Sequence, residues 1–496
     1  MNEKMKALQN GSDIRGIAIE TPEHKETLTE REVFFIGNGL VNWLRSKGNS
    51  GQLKIGIGRD SRLSGPALQK ALINSLIEQG VEVIDFGLAT TPAMFMATQF
   101  QEFSCDAGIM LTASHLPYYF NGIKIFSKEG GAEKEDIQFI LTNTQREQSA
   151  FVGNVEEKNI LLPYAKDLVE KIRKGMKTTQ ENPLKGMKLI VDAGNGAGGF
   201  FAEYVLKELG ADTTGSQFLE PDGRFPNHIP NPDNKEAMAS IQSAVLKNKA
   251  DLGVIFDTDV DRSAVVAKNG EVINRNSLIA VLSKIILSEH PGTSIVTNSP
   301  TSDHLKQFIE ENGGKQVRYI SGYRNVINKS IALNEEGIDS QLAIETSGHA
   351  AFKENYFLDD GAYVIAKLLM LLPKLQENGQ TLDTLIRSLK QPEETTEIRL
   401  RLAGKNYRNA GETIIAELPE YLEEEEGVIL DPENEEGVRF KVTSPYGSGW
   451  FLLRMSLHEP LLVLQVENDF KGNNQVVIEK LANFFNRYSN IEKNQI

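Results

Sequence analysis

The chain has one cysteine, Cys105, in 496 residues. That excludes an internal disulfide framework and makes a reducing cytoplasm the expected compartment. The opening "MNEKMKALQNG" lacks an apolar core, so no secretory signal is expected. Long hydrophobic runs are missing as well. The richest stretches, "LIAVLSKIIL" and "YVIAKLLMLL", fall well short of the roughly 18 residues that a membrane span needs. Positive charge is in deficit, with 53 basic against 68 acidic side chains and a formal charge of −15. This argues against a nucleic-acid partner, and an anionic ligand would require basic residues to gather locally.

What is present is the composition of an ordinary globular protein, 40% hydrophobic and 24% charged, with a length that predicts about three or four domains. Three segments read alike: "KIGIGRDSRLSG" from Lys54, "KLIVDAGNGAGG" from Lys188 and "TSIVTNSPTSD" from Thr293. Each is an apolar strand running into a polar turn, with helical periodicity expected after it. A second strand follows in each unit, opened by Asp106, Asp251 or Asp339, six residues before the first polar residue of a loop. Three such layouts in chain order predict three related α/β domains. From about residue 389 the pattern changes to "TEIRLRL", "VRFKVT", "WFLLRMS" and "LLVLQVE", closing on an amphipathic helix "NQVVIEKLANFFNRY", which predicts a smaller α+β domain. The acidic run "YLEEEEGVILDPENEE" reads as a solvated face and loop.

The loops after the second strands differ: "TASH", "DTDVDR" and "ETSGH". Loops at strand ends of open α/β sheets line a cleft, so chemistry is expected there. Asp257, Asp259 and Asp261 alternate; in extended backbone they would share one face, where their mutual repulsion calls for a cation. Oxygen ligands of this kind suit Mg²⁺, whereas Arg262 and Lys268 stand where a calcium-binding EF-hand needs glycine and glutamate. Ser114 does not sit in the G-x-S-x-G elbow of a serine hydrolase. As a phosphate carrier it fits its neighbours: the aspartate-bound metal would neutralise the phosphoryl group, and Lys124 and Arg262 would supply positive charge or proton transfer. Two other readings compete. Gly194, Gly196 and Gly199 satisfy a dinucleotide fingerprint with Glu220 downstream, but Asp192-Ala193 interrupts the strand before it and "ADTTGSQ" makes a weak second strand. "VIFDTDVD" resembles the aspartyl-nucleophile motif of haloacid dehalogenase-type phosphatases, which leaves the serine and "ETSGH" loops without a purpose.

"TASHLPYYFNGIK" resembles the phosphoserine loop of the α-D-phosphohexomutases, the phosphoglucomutase and phosphomannomutase superfamily, including its serine-to-lysine spacing. "DTDVDR" is similar to that family's magnesium loop, "ETSGH" to its sugar-binding loop and "SDIRG" to its amino-terminal arginine motif. The resemblance implies three related α/β domains plus a C-terminal α+β domain around a central cleft, divided at 1–157, 158–268, 269–388 and 389–496. It implies phosphorylation of Ser114, and Mg²⁺ held by Asp257, Asp259 and Asp261 together with Ser114. Arg15, His115 and Lys124 would act near the transferring group, Lys124 as proton shuttle, with Arg262 beside the metal. Glu345 and Ser347 would bind sugar hydroxyls, and Gly322, Tyr323 and Arg324 would form a specificity loop.

The family's phosphate loop corresponds to "RMSLHEP". Arg454, Ser456, Glu459 and Pro460 match it, while Leu457 and His458 replace a small residue and a threonine; Leu116 and, in "AIE", the pair before Glu345 also depart from the pattern. The implied activity is interconversion of sugar 1- and 6-phosphates of glucose or mannose type through a 1,6-bisphosphate. A glucose 1,6-bisphosphate synthase of the same family and a catalytically idle binding protein are the alternatives. The expected partners are a phosphosugar and a sugar bisphosphate, with neither nucleic acid nor membrane, acting on a monomer or homodimer.

Overall fold

The strands Ala107–Leu111 and Leu252–Phe256, which carry the serine and aspartate loops, are buried along their whole length, and their near-continuous apolar sequences follow from having both sheet faces covered. In the computed structural model, which describes residues 2–146, 152–404, 406–456 and 459–492, the chain forms two units. The first comprises residues up to Leu278 together with Ser347–Thr384; the second comprises Ile279–Thr346 and the chain from Leu385 onward.

In the first unit an eight-stranded sheet has at its centre the parallel strands Lys54–Arg59 and Ala107–Leu111, in register from Ile55 opposite Ala107 to Arg59 opposite Leu111. Phe120–Ser127 runs antiparallel to the latter, with Lys124 opposite Met110, and Asp13–Ile17 adds beyond it, with Arg15 opposite Gly122. The helix Glu30–Ser46 starts at Thr29, whose side chain and that of Glu32 form a reciprocal capping box. It buries Val33, Ile36, Leu40, Val41 and Leu44, a helical spacing, in the core beneath the sheet. Each such side chain contributes about 1.5–3 kcal/mol by leaving water.

A second sheet of the same unit pairs Leu189–Asp192 in parallel with Leu252–Phe256, which returns as the antiparallel Ser263–Ala267 and Val272–Ile273. The helix expected after "KLIVDAGNGAGG" is reduced to a wide-turned segment, Phe201–Leu206. Glycine weakens a helix interior, and the run Gly194 to Gly199 delays its start.

In the second unit Ser294–Asn298 lies in parallel between Lys315–Tyr319 and Ser340–Ile344. The C-terminal segment folds as an antiparallel sheet in the order Glu394–Arg401, Leu461–Asn468, Gly449–Met455, Val438–Val442, Val428–Leu430, packed against the helices Tyr407–Tyr421 and Asn473–Phe485. The acidic run is not a uniformly solvated face. Val428–Leu430 is an edge strand, and Asp431 and Glu436 are buried because cations and hydroxyls receive them: Arg439 and Arg318 lie 3.6 and 3.7 Å from Asp431. Among the described residues no helix is long and apolar enough to cross a membrane.

The repeated aspartates have a mechanical role. Asp106 Oδ2 accepts from the Lys54 N–H at 2.9 Å, while the Asp106 N–H donates to the Lys54 carbonyl at 2.7 Å. Asp251 and Lys188 repeat both bonds at the same two distances. One aspartate thus locks the entry of its own strand to that of its parallel neighbour and sets the register on which the loops at the far end depend. In the third case the Asp339 carbonyl accepts from the Ser294 N–H at 2.8 Å. Replacing Asp251 by alanine should cost about 1–3 kcal/mol, the range for leaving a donor without its partner. Urea unfolding should show a lower midpoint at unchanged slope; a wild-type midpoint would refute the role.

Candidate active site

Nine of the residues singled out above lie in the first unit, and most of them converge. Ser114 closes the turn after Ala107–Leu111 with φ +51°, the left-handed region, and is 2% exposed. Its N–H donates to Thr112 Oγ1 at 2.9 Å and its Oγ donates to Asp257 Oδ2 at 3.0 Å. His115 Nδ1 lies 3.5 Å from the same hydroxyl. Burial, and then the nearby Arg262 and Arg15 cations, hold its imidazole well below the usual histidine range, so it is neutral. Arg15 forms an ion pair with Asp13 at 3.1 Å, and its Nε is buried without a hydrogen-bond partner among the described residues.

Asp257, Asp259 and Asp261 are all buried, and one oxygen of each lies within 4.8 Å of the others. They are not brought together by an extended segment, as their alternation suggests. The chain reverses between Phe256 and Ser263, which pair across the hairpin, and the carboxylates converge inside the turn. Val260 pays for that reversal with φ +67°, a costly conformation for a β-branched residue. The turn is braced from outside. The Val260 carbonyl accepts from the Gly361 N–H at 3.0 Å, and a side chain on Gly361 would approach the Val260 oxygen to 2.8 Å. Gly196 is needed in the same sense: its Cβ would stand 2.6 Å from the Thr258 carbonyl oxygen. The glycine fingerprint thus serves close packing against the aspartate loop.

Cations neutralise part of the cluster. Lys124 Nζ donates to Asp259 Oδ2 at 3.1 Å and also to Asp261 Oδ2, and Arg262 Nε donates to Asp257 Oδ2 at 3.1 Å. Thr91, at the start of the helix Thr91–Gln99, donates its N–H to the Asp259 carbonyl at 2.9 Å and its hydroxyl to Asp259 Oδ2. Burial, then the Asp261 and Asp259 charges, push the Asp257 carboxyl well above the usual range. For Asp261 burial acts upward too, but Lys124, His349 and Arg262 outweigh it and leave the group well below that range.

His349 was not singled out from "ETSGH", although it adjoins the cluster: His349, Asp359 and Asp261 bring ligand atoms within 4.8 Å of one another. Burial opposes its protonation, yet hydrogen-bonded Asp359 and nearby Asp261 raise it to about 9. The pairing with Asp359, ten residues away, is what favours its charged form. Ser347 lies in the same unit, with its Oγ buried and unpartnered.

The remaining residues belong to the second unit. The Gly322 N–H donates to Glu345 Oε1 at 2.7 Å, and Tyr323 and Arg324 open the helix Tyr323–Glu335. Ser321 donates to Glu436 Oε2 at 2.7 Å, and the other oxygen of Glu436 lies 3.9 Å from Arg454. Glu436, which the sequence left within a charge run, therefore joins the loop at Gly322 to the arginine of "RMSLHEP". Ser456 Oγ accepts from the Glu459 N–H at 3.3 Å. Leu457 and His458 lie outside the described residues.

Comparison with known proteins gives this arrangement a family. Models of the phosphoglucomutase/phosphomannomutase α/β/α domains I, II and III match residues 6–151, 163–270 and 274–392. The chain is 32% identical over 487 residues to a phosphoglucomutase of Neisseria gonorrhoeae, covering 95% of this chain and 94% of that one. To a phosphomannomutase/phosphoglucomutase of Pseudomonas aeruginosa it is 33% identical over 459 residues, covering 92% and 90%. The crystal structure of a phosphoglucomutase/phosphomannomutase family protein from Burkholderia thailandensis superposes with a TM-score of 0.79 at 27% identity, covering 97% of each chain. The chain belongs to the phosphoglucomutase/phosphomannomutase family, within the α-D-phosphohexomutase superfamily, and is an isomerase of the phosphohexomutase type. Its architecture is that of three α/β domains followed by a C-terminal α+β domain.

The acidic cluster fits a hard divalent cation. Asp259 Oδ1 and Asp261 Oδ1 are buried and make no hydrogen bond among the described residues, a costly state that a metal would relieve. Mg²⁺ at about ten times its dissociation constant should therefore raise stability by about 1.4 kcal/mol, read as a higher thermal midpoint, and Asp259→Asn should flatten that rise. An undiminished response in the variant would remove Asp259 from the ligand set.

Proposed function

We propose that the chain is a Mg²⁺-dependent mutase that interconverts the 1- and 6-phosphates of glucose- or mannose-type sugars through phospho-Ser114 and a 1,6-bisphosphate. The observation that carries this reading is the Ser114 hydroxyl, buried at a strand end and bonded to one of three clustered carboxylates that Lys124 and Arg262 offset in part. A phosphoserine adds about −1.5 to −2 charge at pH 7 and needs such cations close by. Asp257, Asp259, Asp261 and Ser114 would hold Mg²⁺, which when bound would offset charge on the phosphoryl oxygens.

In transfer, a sugar hydroxyl gives up its proton as its oxygen bonds to phosphorus, and the bond from phosphorus to Ser114 Oγ breaks. Lys124 would carry that proton and return one in the reverse transfer, while Arg15, His115 and Arg262 hold the phosphoryl group. The bisphosphate must then turn round, so a second phosphate site is required. Arg454 and Ser456 supply it on this reading, with Glu345 and Ser347 binding sugar hydroxyls and Gly322, Tyr323 and Arg324 setting specificity. Domains would divide at 1–157, 158–268, 269–388 and 389–496. Release of the bisphosphate instead of its return would make the enzyme a bisphosphate synthase. Assaying sugar 1-phosphate with and without bisphosphate primer, and identifying the product, separates the two.

Intact-mass measurement and peptide mapping after treatment with sugar bisphosphate should find about one phosphate per chain, on Ser114. Phosphate on Asp257 would replace the mutase by an aspartyl-phosphatase type of reaction.

Arg454 can clamp a phosphate through two parallel charge-assisted hydrogen bonds, and binding energy from this remote group positions the reacting end. Arg454→Ala should lower kcat/KM by about 30- to 1,000-fold, or about 2–4 kcal/mol. A wild-type rate on glucose and mannose phosphates would move the second phosphate site elsewhere.

A further inference from the structure

Arg62 belongs to the turn of "KIGIGRDSRLSG" and was given no part in the site, yet it is wholly buried and its terminal guanidinium nitrogens face the serine loop. Its two terminal nitrogens donate to four carbonyls of one loop: Ser114 at 2.5 Å, Leu116 at 2.6 Å, Pro117 at 2.7 Å and Phe120 at 3.0 Å. Its Nε lies 3.2 Å from Asp60 Oδ2, and the Phe225 ring stands 5.4 Å from the guanidinium carbon. Asp60 in turn accepts from the Arg62 N–H at 2.9 Å and from Thr112 Oγ1 at 2.6 Å. Thr112 Oγ1 is the acceptor for the Ser114 N–H. Both peptide groups that flank Ser114 are therefore tied to the same buried ion pair, one through Thr112 and the other directly.

We infer that Asp60 and Arg62 are positioning residues for phosphoryl transfer, a clamp that holds Ser114 in its left-handed conformation with the hydroxyl on Asp257; this rests on the phosphoserine reading above. The geometry asks specifically for arginine. The four N–H bonds of the two terminal nitrogens serve four carbonyls while the guanidinium charge stays paired with Asp60; lysine keeps the charge but has only three donors. Loosening the loop displaces the hydroxyl from the aspartate cluster and leaves the other loops, which on the proposed reading bind the sugar, unchanged. The cost should therefore fall on turnover, not on binding.

The test compares Arg62→Lys and Thr112→Val with wild type, measuring kcat and KM for sugar phosphate, phosphate on Ser114 by mass, and peptide-resolved amide exchange. Arg62→Lys should lower kcat by about 10- to 100-fold, the scale of a reacting group misplaced by about 1 Å, with KM within about threefold. Peptides covering 112–122 should exchange faster while the rest of the chain keeps its wild-type protection. Thr112→Val removes the hydroxyl link without opening the ion pair and should show the same split more weakly, so the inference stays testable if Arg62→Lys does not fold. A wild-type kcat in Thr112→Val or in a folded Arg62→Lys, or a loss spread equally over KM and global protection, would overturn the clamp. Wild-type protein with no phosphate on Ser114 would instead overturn the phosphoserine reading, and the clamp's role with it; unchanged variants of a phosphorylated enzyme would overturn the clamp alone.

Discussion

Keeping three carboxylates together in a buried turn is the constraint to which much of the first unit answers. At an effective dielectric near 20, two unit charges about 4.8 Å apart repel by roughly 3–4 kcal/mol. Such repulsion, added to the cost of burial, has to be offset by cations in fixed places. Lys124 reaches Asp259 and Asp261 because its strand pairs it with Met110 in the sheet that also carries Ser114. Arg262 bonds Asp257 from within the same turn, and His349 adds a further positive charge. The sheet register, the hairpin and the segment after Ser347 are thus tied together by one electrostatic requirement. On the proposed reading the cations that offset the aspartates are also those a phosphoryl group would meet.

Several features could be read directly from the sequence because local physics determines them. Strands buried on both faces have to be apolar, so "AGIML" and "LGVIF" are recognisable, and the aspartates before them recur because Asp106 and Asp251 make the same pair of bonds to a parallel neighbour. The alternation of Asp257, Asp259 and Asp261 disclosed a shared site without its shape. A period of two suggests an extended strand, but a hairpin turn places three such side chains together equally well. Burial of apolar surface says nothing about which of these the backbone adopts.

What could not be read are the groups whose partners are far away in the chain or belong to the backbone. Arg62 sits in "RDSRLSG" as one more polar turn residue, because its acceptors are carbonyls, which any sequence provides. His349 gains its charge from Asp359, and Glu436 its burial from Ser321 and its neighbourhood with Arg454. An acidic run reads as solvent-facing until a fold brings hydroxyls and a guanidinium to one of its members. Arg439 shows the converse: fully buried at 0% exposure, it lies 3.7 Å from the centre of the Trp450 ring and donates to the carbonyls of Ser299 and Thr301.

The brace on Val260 bears on the order in which the molecule can be made. The left-handed turn carrying the aspartates is held by the Gly361 N–H, and the counter-charge on Asp261 comes partly from His349. Both lie far downstream of the hairpin they support. During synthesis the strands Leu252–Phe256 and Ser263–Ala267 can pair as soon as they emerge, with Thr91 and Lys124 already made, but the contact on the Val260 carbonyl must wait until Gly361 has been translated. Contacts this distant in sequence form late. A nascent chain halted before that point would carry every aspartate of the cluster and still lack the contact on Val260 and one of the cluster's counter-charges.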